Sequence, residues 1–306
     1  MPDQYRLYGL VVESEIPLVE APPLPVREAA DVTVRLGKIS MDPSVHPDTA
    51  FYEQDDRWCY CMPGERQFLF NTLVGAYEAL AGREIIFQPE ADGDGNSVRA
   101  YLLGTVLGGA LQIQQGRFPV HGGSVAVGNR ALIVTGAMGA GKSTLTDALI
   151  RKGYPFLADD VSALTLTGGV PEVIPSYPQR KLCRDVCLEL GYDLEMLALI
   201  SEEREKYAVR NPDEWHGRRL PLGWLVEVIP EDTDRPRIQR VDGHEKLRLL
   251  LNSLYRPWIH RIRGIPPAAM KELLAIAAAV AAYRVFRPSG LRAVEPVTEL
   301  ILGSIS

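Results

Sequence analysis

The spacing of apolar positions changes character about a third of the way along the chain. Before that point, short runs alternate apolar and polar residues. YRLYGLVV (5–12), VTVRL (32–36), FYEQDDRWCYCM (51–62), ERQFLF (65–70) and EIIFQP (84–89) each predict a strand. APPLP (21–25) excludes helix between the first two, because proline has no N–H to donate and its dihedral is fixed. ADGDGN (91–96) has loop composition. Beyond it, VRAYLLGTVLGGALQIQQG (98–116) sets apolar residues at helical spacing and stops on a glycine. SVAVGNRALIVTG (124–136) predicts two strands about a Gly-Asn turn, and KSTLTDALIRKG (142–153) a helix stopped by Gly153. FLADDVSALTL (156–166) predicts a strand ending in acids and then another strand. Residues 185–208 predict a charged helix, 222–230 a strand, 268–284 an alanine-rich helix and 295–305 a closing helix. The pattern divides the chain into a small β-rich module over 1–96 and an α/β domain over 97–306, without internal repeats.

Composition narrows the class without naming a function. Of 306 residues, 46% are hydrophobic and 24% charged, enough to fill a core. The 33 Lys+Arg against 39 Asp+Glu leave a net charge of −6, which argues against nucleic-acid binding. The longest apolar run, 273–283, falls well short of the roughly 20 residues a membrane span needs. The opening MPDQYRLYGLVVESEIPL carries acids where a signal peptide has a basic end, so the chain is read as cytoplasmic. Cys59 and Cys61, and Cys183 and Cys187, have spacings that fit no common zinc pattern and are read as reduced thiols.

Against this background GAMGAGKS (136–143) stands out. It fits G-x-x-x-x-G-K-[ST], preceded by the buried-strand run ALIVT and followed by a helical pattern. The physics favours phosphate: Gly136, Ala137, Met138, Gly139, Ala140 and Gly141 supply a loop whose backbone N–H groups can close on phosphate oxygens. The helix beginning at Lys142, Ser143 and Thr144 points its positive end at the same anion. The Lys142 ammonium would reach the terminal phosphates of ATP and the Ser143 hydroxyl would ligate Mg²⁺. An ordinary glycine-rich turn before a helix is the bland alternative.

Asp159 and Asp160 follow one helix and one turn later, at the end of an apolar strand run. There one carboxylate can serve the metal and the other can take a proton from an attacking hydroxyl. A solvated acidic turn is the competing reading. His121, in FPVHGGSVAV, lies two strands and a turn before the glycine loop, so it can return to the same end of the sheet and orient a base. Taken alone, a histidine in such a place is more often an ordinary structural one. His46, His216, His244 and His260 have no such context.

His121-Gly122, GAMGAGKST (136–144) and KGYPFLADDV (152–161), at these mutual spacings, resemble the HPr kinase/phosphorylase family, whose core is shared with phosphoenolpyruvate carboxykinase. The resemblance implies an α/β P-loop kinase fold and ATP-dependent phosphorylation of a serine hydroxyl. It makes Asp160 the base, Asp159 the Mg²⁺ ligand and His121 a helper. The family's second glycine-rich, acidic signature has no counterpart here. PSYPQRKLCRD (175–185) and EREKYAVRNP (203–212) stand in its place. They and the opening YRLYGLVVESEIPL are similar to shorter HPr-kinase-like proteins that act on the C-terminal serine of lasso-peptide precursors. The implied partner is then a ribosomally made precursor peptide. The alternatives are a kinase of HPr or of a small hydroxyl compound such as free serine, or a non-catalytic ATP-binding regulator.

A peptide kinase must neutralise the moving phosphoryl group and hold its acceptor. Arg180, Lys181 and Arg184 in QRKLCR, and Lys206 and Tyr207 in EKY, are the candidates. A solvated, mixed-charge face weighs equally. Arg256, His260, Arg261 and Arg263 form another basic cluster, assigned to surface or subunit contact. The N-terminal module offers strand edges, suited either to gripping a peptide or to forming a homo-oligomer.

Overall fold

The computed structural model describes residues 2–39, 50–54, 57–61, 67–72, 74–91, 93–114, 116–201, 205–288 and 293–305. The described residues form a mixed α/β fold with three sheets. The first contains β1 (Asp3–Leu7), β2 (Leu10–Ser14), β3 (Val32–Leu36), β4 (Ala50–Gln54), β5 (Arg57–Cys61), β6 (Gln67–Thr72), β7 (Gly75–Leu80) and β8 (Glu84–Pro89), in the order β1-β2-β3-β8-β7-β6-β5-β4. The run 5–12, expected as one strand, is a hairpin. Tyr8 (φ +51°) and Gly9 (φ +70°) both take left-handed backbone, the geometry of a tight two-residue turn. Tyrosine is an unusual residue there, so composition did not signal the break. The run 51–62 is likewise two paired strands rather than one, and β7 was not anticipated.

A single helical stretch follows. It comprises α1 (Gly95–Tyr101), a π-helical turn over Leu102–Val106 and α2 (Leu107–Ile113). Asp94 caps it, its Oδ1 accepting the Asn96 and Ser97 amides at 3.0 and 2.9 Å. The buried side of this helix packs on the first sheet. Leu103, Val106, Leu107 and Leu111 share a core with Phe68, Tyr77 and Phe87, and the Tyr77 hydroxyl donates to Val98 O at 2.9 Å. The same core continues into Val161, Ala163, Tyr177 and Tyr255, on the far side of residue 96.

The remaining elements are β9 (Phe118–Val127), β10 (Arg130–Gly136), α3 (Lys142–Arg151), β11 (Phe156–Ala158), β12 (Val161–Thr167), β13 (Val170–Ile174), β14 (Arg180–Cys183), α4 (Arg184–Glu189), β15 (Ala198–Ser201), β16 (Lys206–Val209), β17 (Leu220–Pro230), β18 (Arg237–Val241), α5 (His244–Ser253), α6 (Pro257–Arg263), α7 (Pro267–Ala279), β19 (Ala281–Arg287) and α8 (Val294–Ile305). The second sheet runs β10-β9-β12-β13-β17-β19-β18, with β10 also beside β17 and β11 beside β9. β10, β17 and β19 are mutually parallel neighbours, so their C-terminal ends share one edge. The alternation of β10 serves two cores. Ala131 and Ile133 face α5 and α7, whereas Leu132 and Val134 face α3 and α8.

Two expectations fail here for definable reasons. The alanine-rich run 268–284 is helix only to Ala279. Its last residues form β19, because an unbroken apolar run suits a buried parallel strand as well as a helix. The stretch 185–208 is helical only at α4 and a single 3₁₀ turn, and otherwise builds the third sheet, β14-β16-β15. Of its described charged residues only Lys206 lies on a strand; Asp185 and Glu189 belong to α4, and Asp193, Glu195 and Glu205 to turns. Among the described residues no helix is long and apolar enough to cross a membrane. Cys183 and Cys187 are free; the side chains of Cys59 and Cys61, and all of His46, lie outside the described residues.

Candidate active site

The glycine loop joins the end of β10 to the start of α3. Gly141 stands at the helix N-terminus with φ +96°, and no side chain caps the first turn. The leading amides of α3 therefore remain available to an external acceptor, at the positive end of the helix. The Lys142 ammonium folds back on the loop, donating to Gly136 O at 3.0 Å and Ala137 O at 2.9 Å. Burial lowers its pKa, an effect that the charge of Asp160 opposes. α3 lies directly on β9 because Gly123 has no side chain: a Cβ there would stand 2.5 Å from Thr146 Oγ1.

Strand register assembles the rest. Thr135, at the end of β10, pairs with Gly122 of β9, and Val161, at the start of β12, pairs with His121. The Thr135 hydroxyl donates to His121 O at 2.8 Å, and the Gly122 amide donates to Asp160 O at 3.1 Å. Ser162 Oγ donates to Gly122 O at 2.8 Å within the buried layer beneath. The glycine loop, His121 and the aspartate pair are thereby fixed at one edge of the sheet.

The two aspartates have unlike surroundings. Asp159 is 8% exposed and accepts the Lys181 amide at 2.8 Å. Burial, and then the charge of Asp160, push its carboxyl up to about 6, while Lys181 and Lys206 pull the other way. Asp160 Oδ1 lies 3.3 Å from His121 Nε2. Burial raises the Asp160 carboxyl, but His121, Lys181 and Lys206 outweigh it and hold the group well below the usual carboxylate range. Beside the histidine the carboxylate form of Asp160 is favoured, whereas burial and its neighbour favour the protonated form of Asp159. Among the described residues no group of three or more His, Cys, Asp or Glu forms a metal cage. Mg²⁺ needs none, since it is commonly held by one or two carboxylates and substrate phosphates. The hard oxygen donors of Ser143 and Asp159 fit such an ion.

No family model and no curated protein matches this chain. Among solved structures it is similar to the HPr(Ser) kinase/phosphatase from Coxiella burnetii. The identity is 13%, the alignment covers 61% of this chain and 95% of that one, and the TM-score is 0.32.

The five acceptor-side candidates separate by strand alternation. β14 and β16 are antiparallel, with Lys181 opposite Ala208 and Cys183 opposite Lys206, so Lys181 and Lys206 share a face. Their charges act on both aspartates. Arg180 and Tyr207 project from the other face. Arg180 is 2% exposed, paired with Asp147 of α3 and with Glu214 at 2.5 Å, and its guanidinium sits 5.5 Å from the Phe156 ring centroid. Its guanidinium is taken up by these ion pairs within the core. Tyr207 packs on the small cluster of Leu182, Cys187 and Val209. Arg184 is half-exposed, 3.8 Å from Glu205.

Several residues at the site were not singled out from sequence. Tyr255 meets the His121 ring edge-on, with centroids 5.6 Å apart. Tyr8, from the N-terminal hairpin turn, and Tyr177 are buried near the aspartates. Burial, then neighbouring tyrosines or aspartates, raise both phenols well above their usual value, so they stay protonated donors. Arg256, assigned to a surface cluster, instead turns inward. Its Nη2 donates to Thr105 Oγ1 of the π-helical turn at 2.8 Å, and it lies 5.4 Å from the Tyr255 ring centroid. They come from three separate stretches of chain, and no local pattern marks them as neighbours of the site.

Proposed function

We propose that this protein is an ATP-dependent serine kinase. Residues 97–306 form the catalytic part, and residues 1–96 the β-rich module. The observation that carries the reading is the position of the Asp160 carboxyl, 3.3 Å from His121 and on the sheet edge that bears the glycine loop. In the reaction, the acceptor hydroxyl oxygen bonds to the γ-phosphorus as the bond to the β-phosphate oxygen breaks. The hydroxyl proton passes to the Asp160 carboxylate, and ADP leaves. His121 orients that carboxylate. Lys142 and the first amides of α3 hold the phosphates, and Lys181 and Lys206 add positive charge from the third sheet. Mg²⁺, held by Ser143 and Asp159, would screen the charge of the transferring group.

The acceptor in this reading is a serine, most specifically the C-terminal serine of a ribosomally made precursor peptide. Support comes from the PSYPQRKLCRD and EREKYAV segments, which resemble lasso-peptide precursor kinases. Among the described residues β4 ends one side of the first sheet, whereas Pro23 and Leu24 already bond along β1 on the other; an edge such as β4 takes an extended peptide by strand addition. The test is incubation with ATP, Mg²⁺ and peptides ending in serine, alongside HPr and free serine. A gain of about 80 Da on the peptide supports the reading. Normal ATP binding with no acceptor modified overturns it, and modification of HPr or serine alone overturns the peptide assignment.

A further inference from the structure

The phosphate loop accounts for only one end of a nucleotide. In open α/β sheets ligands lie in the crevice beyond the C-terminal ends of parallel strands. Here those ends belong to β10, β17 and β19. Arg287 closes β19 opposite Pro230, the last residue of β17, and the Glu231 amide donates to Arg287 O at 2.9 Å. The Arg287 side chain is 6% exposed and runs back to the loop, where its guanidinium lies against Gly141 so closely that a Cβ there would collide with Nη1. A buried cation is thus set beside Gly141, at the positive end of α3. Like charges converging on one point favour an anion between them.

At the Arg287–Glu231 junction is an open surface cleft of about 510 Å³, lined by Pro230, Glu231, Asp232, Thr233 and Pro288. Its volume is within the range of small-molecule sites. Arg237 engages Glu231 in a two-pronged pair at 2.8 and 3.3 Å, which leaves the exposed Asp232 carboxylate as the acid facing solvent. An acidic rim repels phosphates and suits sugar hydroxyls, the chemistry by which carboxylates hold ribose.

We propose that this cleft receives the nucleoside end of the nucleotide, with Asp232 toward the ribose hydroxyls and Arg287 as the cation between the cleft and the phosphate loop. The inference rests on the nucleotide reading of the loop.

The full chain would be titrated calorimetrically with ATP and with inorganic tripolyphosphate, which lacks the nucleoside. Thr233→Trp fills the cleft from an irregular segment and is expected to weaken ATP about tenfold or more while leaving tripolyphosphate unchanged. Arg287→Met is expected to weaken both. ATP binding to Thr233→Trp at wild-type strength overturns the cleft assignment and leaves the loop reading intact. A wild-type protein that binds neither probe overturns the nucleotide reading and this inference with it.

Discussion

His121 Nε2 stands 3.3 Å from Asp160 Oδ1 because Val161 pairs with His121 across β9 and β12. The contact is therefore set by backbone register, not by a flexible side chain finding its partner. Asp160→Asn should reduce phosphoryl transfer by about a hundredfold to ten-thousandfold, with ATP affinity little changed. His121→Asn should cost less, since it removes the orienting group and not the proton acceptor. Single-turnover rates beside equilibrium ATP titrations check this. Full activity in Asp160→Asn would remove that residue from the chemistry.

Arg180 and Lys181 are sequence neighbours with opposite orientation and should fail in opposite ways. Arg180→Met leaves Asp147, itself 1% exposed, without one of its cations. Breaking a buried pair costs about 3–5 kcal/mol, and the lower end applies because Arg151 still reaches Asp147. Lys181→Met should leave urea stability near wild type and slow transfer. Equilibrium unfolding combined with turnover separates the two. A stable but inactive Arg180→Met would contradict the assignment.

Gly141 and Gly153 both have positive φ, at +96° and +91°, but only Gly141 has a neighbour in the way. An alanine at Gly153 has open space and should cost about 1–2 kcal/mol in backbone strain alone. At Gly141 it also collides with Arg287, so nucleotide affinity should fall together with stability. Thermal melts with and without ATP distinguish them: the ligand-induced rise in Tm should survive in Gly153→Ala and disappear in Gly141→Ala.

His260, in α6, has both ring nitrogens buried without a hydrogen-bond partner among the described residues. Burial, and then Arg263, lower its pKa from 6.5 to about 4. The unfolded chain therefore binds the proton more readily than the folded one. Stability due to the neutral ring is fully present above pH 6.5 and is lost as pH falls toward 4, by about 2–3 kcal/mol. His260→Phe should flatten that part of the profile. Urea midpoints of both proteins between pH 4 and 7 test it, and parallel curves would rule the histidine out as the cause.

Most of what the residues alone determined is local. The glycine loop, its strand and its helix are contiguous, and each follows from dihedral freedom, apolar runs and stop signals within about a dozen residues. The acidic pair at a strand end is legible for the same reason, as is the Gly-Asn turn that opens at Gly128 (φ +59°). Tertiary structure decided the rest wherever one local pattern served two outcomes. The apolar stretch ending in β19 became a strand because β17 and β18 offered it hydrogen bonds on both sides. Residues 180–183 and 206–209 paired as strands, and that pairing, with its period of two, turned Lys181 and Lys206 toward the aspartates and Arg180 into the core. Arg287 lies far along the chain from Gly141, yet β10, β17 and β19 stand side by side and bring them into contact. Sequence spacing carries the chemistry of a single loop. Which distant charges face it depends on register and strand order, which are settled only when the sheets close over their cores.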